Sequence, residues 1–164
     1  MEALVRQTEF TCVAYEQLPT DEFLIVAKVE SPRDVKVTID VKQHFPATAP
    51  VFMRAVLASR TEHEAEAYVA RWGLPAFNRL TISDRHNFFA DLEKIRKDGV
   101  VVSRGEYYLM NTALAAPVSS IGQSAQRGIC LVAFSSEIPD TELNGYCKKI
   151  RSAAEAISAA LGVS

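Results

Sequence analysis

The side chains best suited to chemistry are few and widely spaced in this sequence. Its thiols and imidazoles are Cys12, Cys130 and Cys147, and His44, His63 and His86. No two cysteines form a CxxC pair, and three cysteines leave one over from any disulfide, so reduced thiols are expected. The histidines lie far apart, near or within polar helix starts, which favours a solvated surface role over a metal or general-base role. GxGxxG, GxxxxGK, HExxH, GxSxG and acidic EF-hand patterns are also lacking, so we predict no catalytic residue, no metal and no cofactor.

Packing accounts for the cysteines better than catalysis does. Cys147 falls on the apolar stripe of a predicted C-terminal helix, and Cys12 is in line with Phe10 and Ala14 on a predicted strand. Cys130 belongs to a continuously apolar strand, from which a side chain can also face a pocket. A thiol-dependent reductase that uses Cys130 or Cys12 is therefore an alternative, although such chemistry needs two exchange-competent thiols and these are predicted to be buried.

Two polar segments allow both a binding role and a purely structural one. Residues Arg104–Tyr108 form a polar and aromatic loop between two predicted strands, a position where binding residues often lie. A solvated connection is the favoured interpretation of this loop. The charge-rich stretch Asp91–Asp98 is interpreted as the wet face of an amphipathic helix.

Composition sets wide limits on what these residues can do. The chain has 164 residues, of which 48% are apolar and 23% charged, which is typical of one folded domain. Its net charge of -2 supplies no field that attracts a polyanion, so these residues alone are not expected to bind DNA or RNA. No apolar run reaches ~18 residues and the N-terminus lacks a signal-peptide pattern, so a cytoplasmic protein with no membrane partner is expected.

The elements that must position these side chains follow from periodicity and punctuation. We predict a short helical start, an antiparallel hairpin over 10–15 and 23–29, and a third strand over Val35–Ile39. Three helices follow over Thr48–Ser59, from a capping box at Thr61 to Gly73, and from after Ser83 to Gly99. Further strands are predicted at Gly99–Val102, Thr112–Val118 and Ile129–Phe134, before a long helix that ends at Gly162. This order predicts an α+β fold around a mainly antiparallel sheet.

Several motifs in the second half of the chain resemble one bacterial family. They are Leu74-Pro75-Ala76-Phe77, the segments Leu80–Asp84 and Leu92–Gly99, the strand Ala113–Val118 and the closing amphipathic helix. In order and spacing they resemble the effector-binding, C-terminal domain of IclR-type bacterial transcriptional regulators. The first half is similar more loosely, through the hairpin Glu9–Val29 and the helix start at Ala47-Thr48-Ala49.

The resemblance implies a fold and a function for nearly the whole chain. It implies a GAF-like fold, with a curved antiparallel sheet and helices on both faces. Residues 1–9 correspond to the end of a linker helix, and residues 10–164 to a domain that binds a small organic or aromatic metabolite. In the family a winged helix-turn-helix, which no segment here resembles, binds the operator, usually as a homodimer or homotetramer. The implied role is that of a non-catalytic ligand sensor in transcription regulation.

The resemblance also points to a pocket whose polar contacts are altered in this chain. Val51 follows Ala49-Pro50 where a glycine is usual, Ser103 replaces an acidic residue, and Ala113 replaces a cysteine. Two serines of the family fall on Cys130 and Val132 without a gap, or on Ser135 and Ser136 in a shifted register. The predicted ligand-binding residues are Ala49, Pro50, Ser103, Ala113, Cys130 and Val132.

These replacements change the expected ligand. Pro50 has no amide to offer a carboxylate, and buried polar groups are retained only when they are paired. We therefore expect an effector that is larger and more apolar or aromatic than a two- or three-carbon oxoacid. The alternative is a dimerisation domain whose pocket is vestigial.

Overall fold

A six-stranded antiparallel sheet with helices on both faces is the framework of the chain. The computed structural model describes residues 1–119 and 124–162, so two short parts of the predicted domain over 10–164 lie outside it. The described strands are β1 (Thr11–Gln17), β2 (Phe23–Val29), β3 (His44–Phe45), β4 (Val101–Arg104), β5 (Asn111–Val118) and β6 (Arg127–Phe134). The described helices are α1 (Glu2–Thr8), α2 (Pro50–Ala58), α3 (Glu62–Trp72), α4 (Arg85–Asp98) and α5 (Asp140–Gly162), with a 3₁₀ turn at Ser135–Glu137. This confirms the predicted α+β class.

Strand β6 lies near the middle of the sheet, whose order is β3-β2-β1-β6-β5-β4 with every neighbouring pair antiparallel. Its residues from Gly128 to Ala133 are all buried, which confirms the prediction of a strand covered on both faces. Cys130 and Val132 pack in the core under α2, α3 and α4, whereas Ile129, Leu131 and Ala133 pack in the core under α1 and α5. Successive side chains of β6 therefore point into two different hydrophobic layers, one on each face of the sheet.

Gly128 allows close packing across the centre of the sheet. A Cβ at this position would lie 2.3 Å from the Tyr15 hydroxyl and 2.6 Å from the Ala116 carbonyl oxygen. Because these distances are far below van der Waals contact, only glycine fits opposite Tyr15 in the β1–β6 pair.

The third predicted strand is wrong in its position. Residues 35–39 form no strand, and β3 lies instead at His44–Phe45, where it pairs with Leu24 and Phe23 of β2. The Lys42 amide donates to the Ile25 carbonyl at 2.8 Å, and the Ile25 amide donates to the Gln43 carbonyl at 3.0 Å. The free edge of β2 is thus occupied by residues that follow the predicted strand. Val37 and Ile39 instead pack against the core, and Val35 is exposed.

Helix boundaries follow the local chemistry closely. The capping box predicted at Thr61 is present, with reciprocal bonds between the Thr61 and Glu64 side chains and the backbone amides of the same two residues. Helix α2 begins at Pro50 and not at Thr48, because a residue before proline is disfavoured in helical geometry and Ala49 adopts ψ 117°. Strand β4 begins two residues later than predicted, because Gly99 still belongs to the left-handed end of α4, with φ 72°.

Candidate functional site

A cavity of about 430 Å³ lies between the sheet and the start of α2. Its wall includes all six residues that the sequence resemblance predicted, namely Ala49, Pro50, Ser103, Ala113, Cys130 and Val132. Ser135 and Ser136 do not line it, so the ungapped register is the one that agrees with the geometry. A volume of this size accommodates a small organic molecule.

Strand pairing brings the sheet residues of the wall together. Ser103 lies opposite Ala113 in the β4–β5 pair, and Ala113 lies opposite Val132 in the β5–β6 pair. Directly opposed residues of antiparallel strands share a face, so these three side chains form one row across three strands. Cys130 lies two residues before Val132 and therefore on the same face.

Helix α2 supplies the opposite wall through its first turn. Ala49 is the N-cap and makes no side-chain capping bond, Pro50 is the first helical residue, and Val51 and Phe52 follow along the cavity. The first amides of a helix have no intrahelical acceptor, and Pro50 has no amide at all. A helix N-terminus stabilises a nearby anion by about 0.3–1 kcal/mol at exposed sites, and this helix presents one donor fewer than usual.

Aromatic rings form a wall that the sequence analysis did not assign to the site. Phe45 lies 5.2 Å from Phe52 and 5.8 Å from Tyr107 between ring centroids, and Tyr107 lies 4.8 Å from Tyr108. All four residues line the cavity. The adjacent tyrosines in the predicted loop are the sequence signal for this wall, although the sequence pattern favours a solvated connection. That interpretation is wrong for Glu106, which is only 5% exposed, whereas Tyr108 is indeed exposed.

A buried ionic cluster holds the 105–108 loop against two helices. Arg54 is 1% exposed, and its guanidinium donates to the Pro50 carbonyl at 3.1 Å, to Asp91 at 2.5 Å and to Glu106. Glu106 lines the cavity and also accepts from the Ile82 amide at 3.2 Å. An arginine among the apolar residues of α2 was the sequence signal for this cluster, since arginine is rarely buried without partners. The wet-face interpretation of residues 91–98 is correspondingly wrong for Asp91.

Two polar side chains of the wall have no hydrogen-bond partner among the described residues. Ser103 is only 5% exposed, and its hydroxyl lies at the cavity with no bond to the protein. The Asn111 side chain lies in the same wall and has no partner either, although its backbone closes the 105–111 turn. Because neither side chain is engaged by a protein partner, both are available to hydrogen-bond a bound molecule.

The thiols are poorly placed for exchange chemistry. Burial raises the pKa of the Cys12 thiol to about 12 and raises the pKa of Cys130 as well. Cys12 lies in the α5-side core, and Cys130 lines the cavity on the other side of the sheet. Burial also raises the pKa of Cys147, which is half-buried on α5. Because the thiolate is the reactive form, these positions favour packing over catalysis.

Over 1–119 and 124–162, no group of three or more histidine, cysteine or acidic side chains is arranged to hold a metal ion. In that part of the chain, no helix is both long and apolar enough to span a bilayer.

Comparison with known proteins identifies similar sequences and folds. Residues 1–159 match the family model described as the C-terminal part of the bacterial transcriptional regulator IclR. The chain is 24% identical over 162 residues to the HTH-type transcriptional regulator KipR of Bacillus subtilis. That match covers 99% of this chain and 64% of KipR, so the chain spans less than two-thirds of that relative.

Solved structures of regulators share the fold. An IclR transcriptional regulator from Alicyclobacillus acidocaldarius superposes with a TM-score of 0.87 at 25% identity, over 96% of this chain and 63% of that one. IclR of Thermotoga maritima gives 0.88 at 20% identity, over 98% of this chain and 65% of that one. The C-terminal domain of the E. coli regulator KdgR gives 0.82 at 20% identity, and the match covers 99% of this chain and 93% of that domain. The overlap with KdgR shows that this chain has the fold of that regulator's C-terminal domain.

Proposed function

This chain belongs to the IclR family of bacterial transcriptional regulators, as a C-terminal domain, and from that premise we propose that it binds a small-molecule effector and thereby controls DNA binding by the regulator. The winged helix-turn-helix that contacts the operator lies, in this proposal, outside these residues. The single observation that supports effector binding is the cavity of about 430 Å³ with unpartnered polar groups in its wall. We further propose that the regulator acts as a homodimer or homotetramer in the cytoplasm.

The effector contacts proposed are the six residues derived from the resemblance. Ser103 is the polar contact among them, because its hydroxyl lies at the cavity without a protein partner. Ala49, Pro50, Ala113, Cys130 and Val132 contribute shape and apolar surface. The aromatic wall around Tyr107 supports an effector larger and more aromatic than a two- or three-carbon oxoacid.

A ligand in this cavity has a physical route to the rest of the domain. It contacts the first turn of α2 and the loop at Glu106, which Arg54 already joins to each other and to Asp91 of α4. A ligand that fits one arrangement of these elements better than another shifts the population toward that arrangement. Reciprocal coupling between effector and operator then follows from the difference in affinity between the two states.

The alternatives have less support. A reductase needs accessible thiolates, whereas burial raises the pKa of Cys12 and Cys130, and the two thiols belong to different faces of the sheet. A vestigial pocket is expected to be filled by side chains, whereas this cavity is open and partly polar.

Filling the cavity should abolish effector binding without unfolding the domain. We expect Ala113→Leu to remove the ligand-induced thermal shift, because the longer side chain extends from the sheet into the cavity. The matched control is Ala70→Leu, the same substitution on an exposed position of α3. The probes are a panel of organic acids, aromatic acids, semialdehydes and neutral aromatic compounds. A ligand at a hundred times its Kd stabilises a protein by about 2.7 kcal/mol, which thermal shift detects readily.

Three results bear on the proposal in different ways. A saturable shift that Ala113→Leu loses and Ala70→Leu keeps supports effector binding in this cavity. A flat panel with the unchanged chain, together with a stable dimer in sedimentation, favours the dimerisation domain instead. Tight and selective binding of glyoxylate or pyruvate contradicts the expectation of a larger effector.

A further inference from the structure

The charges of the side chains around the cavity indicate more about the ligand than the volume of the cavity does. Of the described residues that line the cavity, none is a lysine, arginine or histidine. The charged side chain in that wall is Glu106. A charged ligand group that leaves water is tolerated only when a countercharge or several hydrogen bonds replace its hydration. A carboxylate in this cavity finds an acidic neighbour and no basic side chain.

Glu106 lines the cavity and shares its cation with a second carboxylate. Its partner Arg54 also binds Asp91, so one guanidinium serves two carboxylates and the cluster carries a net charge of one negative unit. Each oxygen of a carboxylate can accept more than one hydrogen bond. The Glu106 carboxylate accepts from Arg54 and from the Ile82 amide and therefore retains acceptor capacity.

The aromatic wall adds to the same preference. Phe45, Tyr107 and Tyr108 line the same cavity as Glu106, with successive centroids 5.8 and 4.8 Å apart. Several rings and one acidic group in the wall of one cavity attract an organic cation, because the face of each ring carries partial negative charge. The start of α2 favours an anion, but Pro50 removes one of its donors.

We propose that the effector is an aromatic amine bound in its protonated form, with its ammonium group between Glu106 and the rings of Phe45, Tyr107 and Tyr108. The Ser103 hydroxyl and the Asn111 amide oxygen are further acceptors for its N–H groups. This assignment rests on the proposed effector-binding function and adds the charge of the ligand to it.

Ligand sets that share an aromatic ring and a short side chain, and that end in a cationic, neutral or anionic group, test the assignment. The probes are phenethylamine, phenethyl alcohol and phenylacetate, with the corresponding indole and naphthalene sets, measured by calorimetry against the unaltered chain near pH ~7, where these amines are protonated. We expect the amine to bind at least about tenfold more tightly than the carboxylate of the same set, because only the carboxylate lacks a countercharge.

The outcomes separate this assignment from the proposed function. A set in which the alcohol or the carboxylate binds most tightly overturns the ammonium assignment and leaves effector binding intact. No binding by any member of the three sets, in a chain that also gives a flat thermal-shift panel, overturns both.

A variant of an exposed ring tests the contact without disturbing the buried cluster. Tyr108 is 52% exposed, so Tyr108→Leu leaves the core unchanged, and we expect it to weaken the amine by about three- to tenfold and the alcohol far less. Tyr108→Phe keeps the ring and is expected to retain the affinity. Equal losses for amine and alcohol in Tyr108→Leu contradict a cation–π contact.

Discussion

Arg54 is the largest of the fully buried side chains in the described part of the chain, and three elements meet at its guanidinium. It bonds to the first turn of α2, to Asp91 of α4 and to Glu106 in the loop between β4 and β5. A buried ion pair adds little stability compared with an apolar replacement of both partners, but removal of one partner leaves an uncompensated charge. The role of Arg54 is thus to hold the cavity loop in one position.

Substitution of this arginine should be severe. We expect Arg54→Met to lower the free energy of unfolding by about 3–5 kcal/mol, because Glu106 is left buried without its cation. The measurement is urea unfolding at neutral pH. Arg6→Met is the matched control, since the Arg6–Glu2 pair is exposed and its loss should change stability by less than about 1 kcal/mol. Similar losses in the two variants would contradict the buried-cluster argument.

At the scale of the element, the effect of a glycine depends on whether it lies at the end of a helix or within it. Gly99 terminates α4 with φ +72°, and a Cβ there would lie 3.3 Å from the Arg151 side chain. Gly145 lies within α5, and nothing is within 4 Å of a Cβ built on it. The same residue type therefore has opposite consequences at the two positions.

Alanine at these two glycines should change stability in opposite directions. Gly99→Ala is expected to destabilise by about 1 kcal/mol, because an L-residue is strained in the left-handed region. Gly145→Ala is expected to stabilise by about 0.5–1 kcal/mol, because alanine is the better helix former. Chemical denaturation of both variants tests the pair, and a stabilised Gly99→Ala would show that the end of α4 is not held in the geometry described.

At the scale of the whole molecule, the layers on the two faces of the sheet differ in what they contain. The layer under α2, α3 and α4 contains the cavity, whereas the layer under α1 and α5 contains a second apolar core. Titratable side chains are buried in both layers. Burial raises the pKa of Tyr15, Tyr68 and Cys130 in the first layer, and of Cys12 in the second.

These buried groups should make the fold sensitive to high pH. Each has a higher pKa in the folded state than in the unfolded chain, so the folded state holds more protons in alkaline solution. Their contribution to stability is complete below the unfolded pKa, 9.0 for a cysteine, and is lost as pH rises toward the folded value, about 12 for Cys12. We expect the free energy of unfolding to fall above pH ~9 by up to ~1.4 kcal/mol per pH unit for each proton involved.

Cys12→Ala isolates one of these groups. The free energy of unfolding of the variant should fall less steeply with rising pH than that of the unaltered chain, because the variant has one buried thiol fewer to deprotonate. Urea unfolding at a series of pH values between ~7 and ~11 provides the comparison. Identical slopes for the two chains would show that the Cys12 thiol does not contribute.

Local pattern by itself determined most of the elements and the fold class. The capping box at Thr61, the glycine that ends α4 and the continuous apolar run of β6 each follow from a few neighbouring residues. The family resemblance likewise located six cavity residues, because the spacing of its motifs preserves the alignment of strands. Such features depend on chemistry within a few positions, and the sequence displays them directly.

The tertiary structure alone decided how distant residues meet. Arg54 lies 37 residues before Asp91 and 52 before Glu106, and no local pattern indicates that one guanidinium serves both. Residues 44–45, and not 35–39, likewise pair with the edge of β2. The reason is that the Lys42 amide already bonds to Ile25 of β2, two residues before β3 begins. The aromatic and acidic character of the cavity arises from the same long-range packing, since β3 and α2, which are neighbours in the chain, meet a distant loop that supplies Glu106, Tyr107 and Tyr108.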